Sequence, residues 1–161
     1  MNRYPMALTL QLWRFCNQAL IAVSVMATFW LLSPQAAFAD FAIIVNRNSP
    51  VSSLTEDDVR QIFLGRMRLF PSTQHNVEPV DIDASIPLFH AFYRTTAHLT
   101  PQALERLRSM YLFSGKGTLP KMVGDEAAVI AFVATHVDAI GYIDATHTTK
   151  EIKNVLIIKA K

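Results

Sequence analysis

Residues 79–94 read PVDIDASIPLFHAFYR. Pro79, Val80, Asp81 and Ile82 alternate as a short strand does, and Asp83, Ala84 and Ser85 supply turn chemistry. Ser85 is a favourable N-cap, and Pro87 suits the first helical turn. Ile86, Phe89, Phe92 and Tyr93 then recur at helical spacing and predict a face turned to a core. A strand that feeds a helix N-terminus leaves unpaired backbone N–H groups at the end of the sheet, where an anion can sit. Asp81 and Asp83, two apart on this strand, are predicted to share one face.

Outward from this turn, strand and helix signals alternate. Residues 41–46 (FAIIVN) are an apolar run of strand length and predict a central strand buried on both faces. Thr55, followed by Glu56, Asp57 and Asp58, predicts an N-cap with a near capping box, and Gly65 predicts the stop of a helix over 55–64. Residues 66–70 (RMRLF) alternate as a further short strand. Thr100-Pro101 opens another helix, with Leu104, Leu107, Met110, Tyr111 and Leu112 inward and Glu105, Arg106 and Arg108 opposite. Residues 114–120 (SGKGTLP) break it. A helix over 125–135 follows, with strands over 139–143 and 154–159. This order predicts an α/β domain with a mixed sheet.

The chain of 161 residues opens with Arg3 and Arg14, an apolar run over 19–32 (ALIAVSVMATFWLL) and Ala37-Phe38-Ala39. Residues 1–39 are therefore read as a cleaved secretory signal peptide and 40–161 as one domain. Those arginines are the only charges before Asp40, so 40–161 carries thirteen charges of each sign. That balance argues against nucleic acid as a partner. The single cysteine, Cys16, lies in the signal, so the domain is held by burial rather than by disulfides. Membrane contact is expected only through the signal before cleavage.

No catalytic residue, metal ligand or cofactor site is expected. The five histidines show no metal spacing, and no nucleophile motif is present. Residues 114–118 (SGKGT) lack the leading residues of a phosphate loop, although Lys116 could touch an anion.

Three stretches carry a resemblance. Residues 54–70 (LTEDDVRQIFLGRMRLF), 77–93 and 124–144 (GDEAAVIAFVATHVDAIGYID) resemble substrate-binding proteins of phosphate ABC transporters, in a short PstS-like form. The resemblance covers essentially all of 40–161. It implies an α/β fold with a single periplasmic-binding-protein-like lobe of type II, a mixed sheet flanked by helices and a periplasmic location. It also implies a non-enzymatic role in binding phosphate or another small anion. The family's motif serine falls at Ser85 and its acidic position at Asp83. The arginine position is Asp81, and the glycine and threonine positions are Ile86 and Pro87. The implied ligand contacts are Ser85, Asp83, Ile86, Gly124 and Lys116, with Asp81 opposing a dianion. The family's other lobe is not expected within 122 residues. The implied partners are an ABC transporter permease or, in an alternative role as an interaction or sensory module with a degenerate ligand site, a sensor or outer-membrane protein.

Overall fold

The computed structural model describes residues 40–115 and 118–160. The signal assignment and Lys116 lie outside the described residues. Five strands form one sheet: β1 (Phe41–Asn46), β2 (Glu78–Ile82), β3 (Lys121–Gly124), β4 (Ala139–Asp144) and β5 (Ile152–Ile158), in the order β3-β2-β4-β1-β5. β2 runs parallel to β3 and β4, and β1 runs antiparallel to β4 and β5, so the sheet is mixed. Among the described residues four α-helices accompany it: α1 (Glu56–Phe63), α2 (Pro87–Ala97), α3 (Pro101–Ser114) and α4 (Glu126–Thr135).

β1 lies between two strands with every residue buried, as its unbroken apolar run predicts. Its alternate residues serve opposite layers. On one side, Phe41 and Tyr142 pack on Phe92 of α2, with the Phe92 and Tyr142 rings stacked at 3.7 Å and Phe63 of α1 edge-on to both. On the other side, Ile44 and Gly141 meet α4. A Cβ on Gly141 would stand 2.5 Å from Cγ1 of Val129, so only glycine lets the helix approach this closely. Asn46 closes this layer by donating from Nδ2 to the carbonyls of Val133 and Ala134, both at 2.8 Å. Those carbonyls have no partner in the last turn of α4 itself.

Local signals hold where the ends are chemically marked. Thr55 caps α1, with the reciprocal Asp58 contact of a capping box, and Thr100 caps α3 by accepting from the Ala103 N–H. Three expectations are corrected. Residues 66–70 form no strand, only an isolated bridge between Leu69 and Asn76. β3 occupies residues for which the sequence predicts no element; its four residues lie at the sheet edge, with Lys121 and Met122 exposed. The expected inner face of α3 is mostly outside: Leu104 alone is buried, and Met110, Leu112 and Phe113 are exposed. α3 packs chiefly on α2, with Leu104 and Arg108 turned toward the body. Among the described residues no helix is long and apolar enough to cross a membrane.

Candidate functional site

Because β2, β3 and β4 are parallel, their carboxyl ends meet along one edge of the sheet. The Asp83 N–H donates to the Gly124 carbonyl at 2.6 Å, joining the turn after β2 to the end of β3. The structure therefore brings Asp83, Ser85, Ile86 and Gly124 to one edge. Gly124 has φ +122, a backbone conformation that side-chain-bearing residues rarely adopt.

Ser85 is not the helix cap. α2 begins at Pro87, and Ile86 stands at the N-cap with no side-chain hydrogen bond. The Ser85 N–H instead donates to Oδ1 of Asp83 at 2.8 Å, and the Ile86 N–H donates to the Asp83 carbonyl at 3.0 Å. The backbone hydrogen bond from Ser85 holds the Asp83 carboxyl below its ordinary value. The turn is stabilised by Asp83 before the helix starts, which shifts the start by one residue. Ser85 is an exposed residue whose hydroxyl also helps to lower the Asp83 pKa, and the first turn of α2 has no carboxylate and no side-chain cap.

α4 is different. Its N-cap, Asp125, accepts from the Ala128 N–H at 2.9 Å. Glu126 accepts from the Asp144 N–H at 2.9 Å and pairs with Nδ1 of His147 at 3.0 Å. The Glu126 hydrogen bond raises the His147 pKa above its ordinary value. Between the two helix starts lies an open cleft of about 340 Å³, with Ile86 on one wall and Asp125, Glu126, Ala127, Ile130 and His147 around it. Asp144 adjoins the cleft through its N–H to Glu126, and the Ala145 N–H donates to the Asp40 carbonyl at 2.8 Å. Asp144 accepts from Thr146, which lowers its pKa. The strand ends thus carry one helix start without a side-chain cap and one capped by the protein's own carboxylates.

Asp81 does not face this edge. It is fully buried on the α2 side of the sheet. Oδ1 accepts from the Tyr142 hydroxyl at 2.6 Å, and Oδ2 accepts from the Tyr93 hydroxyl at 2.7 Å and from Arg108 at 2.5 Å. Three donors converge on two oxygens, so the carboxylate is the form that satisfies them. Burial pushes the Asp81 pKa up, and Tyr142, Tyr93 and Arg108 pull it back. The same burial raises the Tyr93 and Tyr142 hydroxyls well above their ordinary values. Arg108 lies over the rings of Phe89 and Tyr93, at 4.9 and 5.2 Å from their centroids. Asp81 therefore neither shares a face with Asp83 nor opposes a ligand at the turn. Arg108, expected on the outer face of α3, faces inward. The signal was present: Arg108 follows Leu104 by four residues and falls on the same helical stripe.

Among the described residues no cluster of three or more histidine, cysteine, aspartate or glutamate side chains could hold a metal ion. No family model matches the chain, and no curated protein does. Solved structures do. An ABC-type phosphate transport receptor from Vibrio cholerae superposes with TM-score 0.57 at 19% identity, covering 74% of this chain and 46% of that one. PstS from Borrelia burgdorferi superposes with TM-score 0.57 at 13% identity, covering 76% and 47%. This is the fold of a periplasmic-binding-protein lobe. The chain spans less than half the length of these receptors. In the lobe, the carboxyl ends of the parallel strands are where open α/β sheets offer a ligand crevice, and that is the edge holding Asp83, Ser85, Ile86 and Gly124.

Proposed function

We propose that residues 40–161 form an exported, non-enzymatic solute-binding lobe related to phosphate ABC transporter substrate-binding components. Phosphate or another small anion is held weakly at the turn of Asp83, Ser85 and Ile86 beside Gly124, with Lys116 as the cation that the family resemblance implies. The observation that carries this reading is the start of α2. It stands at the carboxyl end of the parallel strands without a side-chain cap, beside the exposed residue Ser85, whose hydroxyl lies next to the Asp83 carboxyl. A helix start of this kind favours an anion. Pro87 removes one N–H from the cradle. The rim carboxylates make the hold weak, because a unit charge at 4 Å costs about 4 kcal/mol at an effective dielectric near 20. That is comparable to the net gain of roughly three neutral hydrogen bonds. The export that the reading requires rests on the signal sequence over residues 1–39.

Calorimetric titration with phosphate, sulfate and acetate tests this. Millimolar binding of phosphate, weakened by Ser85→Ala, is expected. No heat and no thermal shift at millimolar anion would sink the reading.

A second reading, an interaction module that docks on a transporter permease, a sensor or an outer-membrane protein, is favoured by the same rim. Asp83, Asp125, Glu126 and Asp144 there suit a basic partner surface better than a dianion. Partner capture that survives Ser85→Ala but is lost with Asp125→Asn and Glu126→Gln together would favour docking.

A further inference from the structure

A groove of about 370 Å³ opens between α1, the turn after α2 and α3, and it shares no lining residue with the strand-end cleft. Its apolar walls include Leu64, Leu99, Ala103 and Leu107, and Arg60 and Arg66 stand in the same lining. Beside the groove, α3 seats Leu104 and Arg108 against the body and leaves Ala103 and Leu107 half-buried. The two arginines are not equivalent. Arg60 is paired with Asp57, one turn back on α1. Arg66 is exposed, and its Nε donates to the Tyr111 hydroxyl at 3.2 Å, which orients the guanidinium. That contact uses one of five N–H donors, and a guanidinium matches a carboxylate with two at once. The volume lies at the small end of the range for ligand pockets, about 300–1,000 Å³.

We propose that this groove binds a small amphiphilic carboxylate, with the head on Arg66 and an alkyl tail along Leu64, Leu99 and Leu107. Apolar walls without a charge would take any alkyl chain, and a lone surface arginine would take any anion. The two together select a ligand with both parts. Arg60 adds a weaker second charge, since its exposed pair with Asp57 exchanges at little cost.

The test is methyl and amide NMR of the purified protein titrated separately with octanoate, butyrate, octylammonium and inorganic phosphate. Octanoate is expected to shift the methyls of Leu64, Leu99 and Leu107 and to bind at least about tenfold more tightly than butyrate. Octylammonium and phosphate leave those methyls unmoved. Arg66→Gln weakens octanoate about fivefold, the scale of one exposed charge-assisted contact, and Arg66→Lys recovers most of it. Equal binding of octylammonium and octanoate by the unmutated protein would overturn the proposal. So would octanoate shifts confined to Met110, Leu112 and Phe113, or an affinity indifferent to Arg66→Gln. Failure of phosphate at the strand ends would leave these outcomes unaffected.

Discussion

Asp81 and Asp83 are separated by a single residue. Asp81 is fully buried and accepts from two tyrosine hydroxyls and an arginine, whereas Asp83 is exposed and accepts from the backbone of Ser85. Their pKa shifts have opposite signs, upward by burial for Asp81 and downward by hydrogen bonding for Asp83. The difference arises at the last residue of β2. Asp81 keeps the pleat of the strand and points at α2, while Asp83 has left the strand and joins the end of β3. A carboxylate in the strand thus orders the fold, and one just past its end orders the turn into α2, where the ligand edge is proposed. One residue separates the two roles.

The largest expected effect breaks the buried half. Asp81→Ala leaves Arg108 and two tyrosine hydroxyls without their acceptor and should cost about 3–5 kcal/mol in urea unfolding. Replacing Asp81 and Arg108 together by leucine and methionine should cost clearly less, because no buried charge is stranded. A loss below about 1 kcal/mol for Asp81→Ala would place Asp81 in a looser, wetter setting than this.

Next comes the close approach of the opposite layer. Gly141→Ala drives a methyl against Val129 and should cost about 1–3 kcal/mol by overpacking, measured the same way. Thr55→Ala, which removes the capping box of α1, should cost about 1 kcal/mol.

The smallest effects are in pH dependence. His147 has its folded pKa raised by Glu126. Its contribution to stability is therefore full below the unfolded value and is lost as pH rises through the folded one. His147→Gln should flatten that part of the stability profile while leaving the acid limb unchanged. Asp83, with its folded pKa lowered, has the opposite dependence: its contribution is present above the unfolded value and fades as pH falls through the folded one. Asp83→Asn should lower stability slightly above the unfolded value and flatten the acid limb.

Elements marked by local chemistry were legible in the sequence. The apolar run of β1, the Thr55 and Thr100 caps and the helix over 125–135 all follow from neighbours in the chain. β3 was not legible, since four edge residues beginning with an exposed lysine carry no alternation to read. The start of α2 was misplaced because Asp83 competes with Ser85 for the same turn. The partnership of Asp81 with Arg108 spans 27 residues, and the one with Tyr142 spans 61. Periodicity within one element cannot announce such pairs, although the spacing from Leu104 to Arg108 points inward once Leu104 is known to be buried.

The division between a structural Asp81 and a ligand edge at Asp83 is tested most directly by mapping amide shifts during a phosphate titration. The account predicts shifts at Ser85, Ile86 and Gly124, with Tyr93, Arg108 and Tyr142 unmoved. Shifts centred on Arg108 and Tyr93, with the turn after β2 silent, would contradict it.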